Sequence, residues 1–241
     1  MDLTTKAIAL KTTDYGENDK FILLYSLEHG KISVFAKGIR KAKAKLKFAG
    51  DTFCFGNYEI AQTGERMVLK TCEQLESFYT LREDIVAYYS ACAIAECIVN
   101  YTEEGQSEPL IFVETLRALE QLVLGVNPLT VVLRYMLGFV KAQGFALDFK
   151  HCAECGAIGK KMYLDFAKGG ILCDDHRTAE STPVSPRVVS ACNLLEDMPF
   201  DKLKKVTFSG ELLKDALTNI NKYVAHSFSP NKSLAELLHL A

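Results

Sequence analysis

Two short pairs, Cys152/Cys155 and Cys173/His176, each hold two residues between their members, and 17 residues separate the pairs. A two-residue gap lets both side chains of a knuckle turn toward one ion, and Gly156 permits the tight turn after Cys155. Thiolates and an imidazole favour a tetrahedral N/S site, and the spacing lies in the zinc-ribbon range. Three cysteines and a histidine close the shell and leave no open position for an activated water, so the ion expected here is one structural zinc. Two alternatives stand beside that set. The thiols are free and merely resemble a site, or the fourth ligand is His151, Asp174 or Asp175 in place of His176. A redox Cys-x-x-Cys lacks its surrounding βαβ pattern, and a zinc deaminase lacks both the His-x-Glu and the proline before the first cysteine.

The second chemical feature is a basic run. Of the eleven residues 37–47, six are cationic and none is acidic: Lys37, Arg40, Lys41, Lys43, Lys45 and Lys47. Lys41, Lys43, Lys45 and Lys47 alternate, so an extended segment aims them to one side, where they suit phosphates spaced along a nucleic-acid backbone. The structural alternative is a solvated loop. Phe53, Phe55 and Tyr58 follow closely and are candidates for base stacking, although alternating aromatics in a strand are more often core. Net charge over the chain is only −2, yet residues 1–80 carry 12 Lys and Arg against 10 Asp and Glu. The basic excess is therefore local.

These residues need a frame. Over the first 80 residues apolar positions alternate as in short strands: Ile8 and Leu10, then Phe21, Leu23 and Tyr25, Ile32 and Val34, Phe53 and Phe55, Met67 and Leu69. The phase changes across Gly56-Asn57, where Tyr58 and Ile60 take over, as a bulge requires. Tyr15-Gly16-Glu17-Asn18, Glu28-His29-Gly30 and Thr63-Gly64-Glu65 supply turns. Five short strands fit a small closed barrel, of OB or SH3-like type.

From about Leu81 the period becomes helical. Ser107 and Pro109 start one helix that stops at Gly125, Asn127-Pro128 starts the next, which ends before Gly144, and a stripe from Leu212 to Val224 marks a third. The Cys/His segment interrupts this helical region. The expected order is a barrel over 1–80, helices over 81–149, a zinc module over 150–178 and helices again over 179–241. Cys54, Cys72, Cys92, Cys97 and Cys192 are scattered among apolar residues and read as buried thiols. The N-terminus lacks the layout of a signal peptide and the most apolar stretch, 122–140, is interrupted by Asn127, Pro128 and Arg134, so a cytoplasmic protein without membrane spans is expected.

Ala7-Ile8-Ala9-Leu10-Lys11-Thr12-Thr13-Asp14-Tyr15-Gly16-Glu17-Asn18-Asp19-Lys20, Glu28-His29-Gly30-Lys31 and Ala36-Lys37-Gly38-Ile39-Arg40 closely resemble the opening of the bacterial RecO family. The resemblance continues through Gly144-Phe145, Cys152-Ala153-Glu154-Cys155-Gly156 and Lys232-Ser233-Leu234, and so spans nearly the whole chain. It implies an α+β protein: an N-terminal five-stranded OB-fold barrel, then a helical domain with an inserted zinc-binding module. It also implies a recombination mediator that binds single- and double-stranded DNA and anneals complementary strands. With RecR, such a protein loads RecA onto DNA coated by single-stranded-DNA-binding protein, whose acidic C-terminal tail it also binds. Zinc-binding members commonly use four cysteines, so His176 is a departure.

No Walker A lysine motif, His-Glu-x-x-His or Gly-x-Ser-x-Gly occurs, and the expectation is binding rather than catalysis. A second reading is a protein–protein adaptor acting through the helical domain, with Arg134 as a cation beside an apolar groove; the structural alternative, an Arg at the rim of a core helix, is the stronger for that residue.

Overall fold

The computed structural model describes residues 2–64, 66–159 and 161–241, with the side chain of Ser227 excepted. Glu65, in the expected turn Thr63-Gly64-Glu65, lies outside the described residues. The chain divides into two compact units, Met1–Glu83 with Ile98–Leu116, and Asp84–Cys97 with Arg117–Ala241.

The first unit is built on five strands: β1 (Asp2–Tyr15), β2 (Asp19–Ser26), β3 (Gly30–Ala36), β4 (Phe55–Thr63) and β5 (Arg66–Glu76). They close into a barrel in the order β1-β2-β3-β5-β4. Hairpins join β1 to β2, β2 to β3 and β4 to β5, whereas β3 and β5 pair in parallel, Val34 opposite Met67. This is the OB-fold, and closure removes the free strand edges. β1 is long enough to serve two neighbours, β4 through Asp2–Ile8 and β2 through Ala7–Tyr15, and a register shift between Ala9 and Lys11 lets it bend. The phase change expected near Gly56 is a second shift, between Phe55 and Gly56.

The barrel interior differs in parity from the simple alternation. Ala7, Ala9, Ile22, Leu24, Ile32, Val34, Tyr58 and Ile60 fill it. Thus β2 turns Ile22 and Leu24 inward, while Phe21, Leu23 and Tyr25 face out. Tyr25 is nonetheless wholly buried, because Phe112 packs against it with ring centroids 6.2 Å apart. A strand covered on both faces is apolar throughout, which conceals its phase. Phe53 is not in a strand: it sits before β4 at φ +71°, buried, its N–H donating to the Ala9 carbonyl at 2.7 Å.

Of the helices, α1 spans Ile85–Tyr101, α2 Pro109–Val123, α3 Pro128–Ala142, α4 Pro186–Glu196, α5 Gly210–Ser227 and α6 Lys232–Leu240. Ser107 does not cap α2: its hydroxyl donates to the Leu27 carbonyl at 2.7 Å, and Glu108 takes the cap position, its carbonyl accepting from the Phe112 N–H. Elsewhere the caps follow the sequence. Side-chain oxygens of Asn127, Ser185, Ser209 and Asn231 accept from the third residue on at the starts of α3, α4, α5 and α6, and Gly125 and Gly144 follow the ends of α2 and α3 with positive φ. In the second unit α3 is buried nearly all round, and Leu213, Ala216, Leu217, Ile220 and Val224 form the buried stripe of α5.

The segment carrying the Cys/His pairs is more than a knuckle. Four short strands, β6 (Asp148–Cys152), β7 (Met162–Asp165), β8 (Gly170–Cys173) and β9 (Thr182–Val184), form one sheet in the order β6-β8-β7-β9. The expected module boundaries 150–178 therefore fall inside a sheet that runs from 148 to 184. Among the described residues, no helix is long and apolar enough to cross a membrane.

Candidate metal centre and nucleic-acid interface

β6 and β8 lie side by side and parallel, Cys152 opposite Ile171. Their C-terminal ends point the same way, so Cys152 and Cys173, the last residue of each, leave the sheet at one edge. Each strand then turns tightly. The Gly156 N–H donates to the Cys152 carbonyl at 2.8 Å with Gly156 at φ +71°, and the His176 N–H donates to the Cys173 carbonyl at 3.1 Å. These turns bring Cys155 and His176 back toward the strand-end cysteines. The three sulfurs and one imidazole nitrogen lie within 4.8 Å of one another, close enough to hold a metal ion.

The edges of this cluster fit a tetrahedral ion. Metal–sulfur distances of about 2.3 Å place sulfurs of one shell near 3.8 Å apart, and the Cys155 and Cys173 sulfurs are separated by 3.8 Å. His176 Nδ1 is 3.2 Å from the Cys173 sulfur. Cys152 and Cys173 are buried, Cys155 and His176 exposed. Burial is the largest single influence on the Cys152 thiol and pushes it up, but hydrogen bonds from the backbone N–H groups of Cys173, Cys155 and Glu154 and from the Cys155 side chain bring the group down to about 6. Those N–H groups favour thiolate, the form a metal binds. Of the alternative ligands, Asp174 is engaged by the Tyr163 hydroxyl at 2.7 Å and by Arg177 at 3.5 Å.

The remaining thiols are placed as expected of core residues. Cys54, Cys72, Cys97 and Cys192 are buried and Cys92 half-buried. Burial pushes the Cys97 and Cys192 thiols up to about 12.

The basic run joins β3 to β4. It is not extended: turns closed by Lys41 N–H to Gly38 carbonyl and Ala44 N–H to Lys41 carbonyl lead into a 3-10 turn, Lys47–Gly50. The alternating alignment expected of Lys41, Lys43, Lys45 and Lys47 is therefore absent, because apolar residues between the cations tie the chain down. Ile39 and Ala49 belong to the barrel core, and Leu46 and Phe48 pack against it. Lys37, Arg40, Lys41, Lys43, Lys45 and Lys47 are all exposed. Arg40 donates to the Gly16 carbonyl at 3.2 Å and pairs with Asp14 at 3.1 Å.

Lys70 joins this loop without a signal in the sequence. It lines a cavity of about 400 Å³ together with Lys37, Lys45, Ile39, Leu46 and Leu69, and also pairs with Asp2 at 2.6 Å. Only the parallel β3–β5 pairing brings β5 to this loop, and a lone Lys in a strand carries no signal of that. Phe53 and Tyr58 are buried, and Phe55 packs on Phe112 with centroids 6.1 Å apart, so none of the three presents a stacking face.

Arg134 takes the structural alternative, a place in the core, rather than one beside a groove. It is buried, donates from Nε to the Met198 carbonyl at 2.6 Å and lies over the Phe200 ring at 4.8 Å. Its head group holds the 3-10 turn Phe200–Lys205 against α3 rather than lining a groove.

Comparison with known proteins agrees with this architecture. The family model for the N-terminal part of recombination protein O matches residues 1–78, and that for its C-terminal part matches residues 82–235. Among curated proteins, the DNA repair protein RecO of Clostridium novyi is 27% identical over 237 residues, covering 98% of this chain and 93% of the relative. RecO of Bacillus subtilis is 27% identical over 222 residues, 90% of this chain and 86% of the relative. RecO of Desulfitobacterium hafniense is 30% identical over 190 residues, 78% and 69% respectively. The barrel, helices α1 to α5, the Cys/His sheet and the first turn of α6 fall within the two matched segments, and the chain belongs to the RecO family.

Proposed function

We propose that this protein is a DNA-binding recombination mediator in DNA repair, acting by binding rather than turnover. It holds single- and double-stranded DNA, anneals complementary strands and, with RecR, helps load RecA onto DNA coated by single-stranded-DNA-binding protein, whose C-terminal tail it also contacts. It does so in the cytoplasm, at the nucleoid. The observation that carries this reading is the β3–β4 loop, where five lysines and one arginine project to solvent from a segment without an acid. Family membership and the DNA repair proteins among its relatives support the same reading.

The mechanism is electrostatic. Lys37, Arg40, Lys41, Lys43, Lys45 and Lys47 neutralise phosphates, release the counterions condensed on them and lower the repulsion between two strands. Anchoring by Ile39, Leu46 and Phe48 holds the cations on the barrel, so less ordering is left to be done on binding. Cys152, Cys155, Cys173 and His176 hold one structural zinc that fastens the β6–β8 edge, supported by the tetrahedral fit of the donor set. Four protein donors leave no position for substrate.

The test is annealing of complementary strands by the Lys41→Glu/Lys43→Glu/Lys45→Glu variant. Annealing is expected to be lost while zinc content and melting temperature stay at the parent values. Normal annealing by this variant would move the site elsewhere.

A further inference from the structure

The outer face of the barrel carries three aromatic rings that neither core packing nor the lysine mechanism uses. Phe21 stands opposite Phe35 in the β2–β3 register and opposite Thr13 in the β1–β2 register, with Tyr15 two residues beyond Thr13. Their neighbours of opposite parity, Ile22 and Val34, fill the interior, so these three side chains face out. Ring centroids are 5.3 Å apart for Tyr15–Phe21, 5.8 Å for Tyr15–Phe35 and 5.3 Å for Phe21–Phe35. Phe21 and Phe35 are half-buried, and Tyr15 is 51% exposed. Three grouped rings on a strand surface form a small apolar patch, and such a patch on a soluble protein asks for an occupant.

The basic loop is stitched to this patch. Arg40 bonds to Asp14 and to the Gly16 carbonyl, the residues on either side of Tyr15. The Gly38 N–H donates at 2.6 Å to Asp19, which stands opposite Tyr15 in the β1–β2 register. The base of the basic loop and the rings are thus neighbours on the barrel, and charge beside π-surface suits a flexible strand carrying phosphates on one side and bases on the other.

We propose that Tyr15, Phe21 and Phe35 form a base-stacking platform for unpaired nucleotides, which makes this face of the barrel prefer single strands over duplex. The inference rests on the DNA reading above and adds a base-dependent contribution to its charge-dependent one. Bases of a duplex are stacked on each other and present no free face, whereas those of a single strand do. Stacking holds a base by its faces and leaves its pairing edge open to a complementary strand, as annealing demands.

The test compares the full-length protein with Tyr15→Ala and Tyr15→Phe. Fluorescence anisotropy would be read on a labelled oligothymidine, an abasic backbone of equal length and a duplex. Tyr15→Ala is expected to bind oligothymidine roughly tenfold more weakly, the worth of one stacked base. Its affinity for the abasic strand and the duplex should be unchanged, and Tyr15→Phe should bind like the parent. Equal losses on all three would overturn the platform in favour of a structural or purely electrostatic role. No loss on oligothymidine would assign the rings to another partner, such as an apolar peptide. If the parent bound neither oligothymidine nor the abasic strand, the charge reading would fall and the platform with it. A second measurement needs no variant: light-driven crosslinking of the parent to a bromouracil oligonucleotide should attach at Tyr15, Phe21 or Phe35. Adducts confined to other peptides would refute the assignment.

Discussion

At the residue scale, Cys155 and His176 are the exposed half of the Cys/His cluster, and each is brought to it by a tight turn. Replacing Cys155 by Ser removes a thiolate from a four-donor shell without changing local volume. We expect the purified Cys155→Ser protein to lose its zinc by atomic absorption and to melt about 5 °C lower, the loss of a structural metal being among the costlier single changes. His176→Ala should do the same, whereas His151→Ala should keep both zinc and melting temperature. Retention of zinc by His176→Ala, with loss in His151→Ala, would reassign the fourth donor. The four candidate ligands could be read from the sequence because ligand type and a two-residue gap are local properties. The strands that deliver them could not. β6 and β8 are five and four residues long, and their parallel pairing depends on a contact across 17 residues of loop and hairpin.

At the scale of elements, the family-like segment Lys232-Ser233-Leu234 acquires a physical meaning. It is the first turn of α6, and Asn231 before it is fully buried. The Asn231 carboxamide accepts from the Leu234 N–H at 2.8 Å and donates to the Ala93 carbonyl at 2.8 Å. Glu96 accepts from the N–H groups of Lys232 at 2.9 Å and Ser233 at 2.8 Å. One amide therefore caps α6 and fastens it to α1. Asn231→Ala is expected to destabilise the second unit by about 2 kcal/mol, a lost cap plus a lost buried hydrogen bond to the Ala93 carbonyl. Urea denaturation followed by circular dichroism measures this, and a change below ~0.5 kcal/mol would deny the anchor. The helix start at Asn127-Pro128 was legible as a capping residue before a proline, whereas the caps of α4 and α6 at Ser185 and Asn231 were not read from the sequence. Strand phase was not legible either: Phe21 to Tyr25 is apolar at every position, because on the outer face Phe112 covers Tyr25 while Phe21 packs with Tyr15 and Phe35. The loop conformation was hidden for a related reason. Its lysines advertise an extended strand, while the intervening Ile39 and Leu46 fold it onto the barrel.

At the scale of the whole molecule, a net charge of −2 gives no general attraction to a polyanion. The DNA binding proposed above must come from the local patch, and its salt dependence counts the phosphates met. Arg40 already has Asp14 as a counter-charge, which leaves Lys37, Lys41, Lys43, Lys45 and Lys47 as the main cations of the loop. Five phosphates neutralised on a single strand give a slope of log affinity against log salt near −3.5, from about 0.7 per contact. Fluorescence anisotropy titrations on oligothymidine between 50 and 200 mM salt, roughly the range over which such contacts are lost, read that slope directly. The triple Lys→Glu variant should flatten it, and a parent slope near zero would exclude the electrostatic mechanism outright. Stacking on the aromatic platform is insensitive to salt and shifts the line without tilting it. The intercept at high salt therefore reports on Tyr15, Phe21 and Phe35, and the slope on the lysines. One titration series thus separates the two contributions, provided it is run on parent, triple variant and Tyr15→Ala alike.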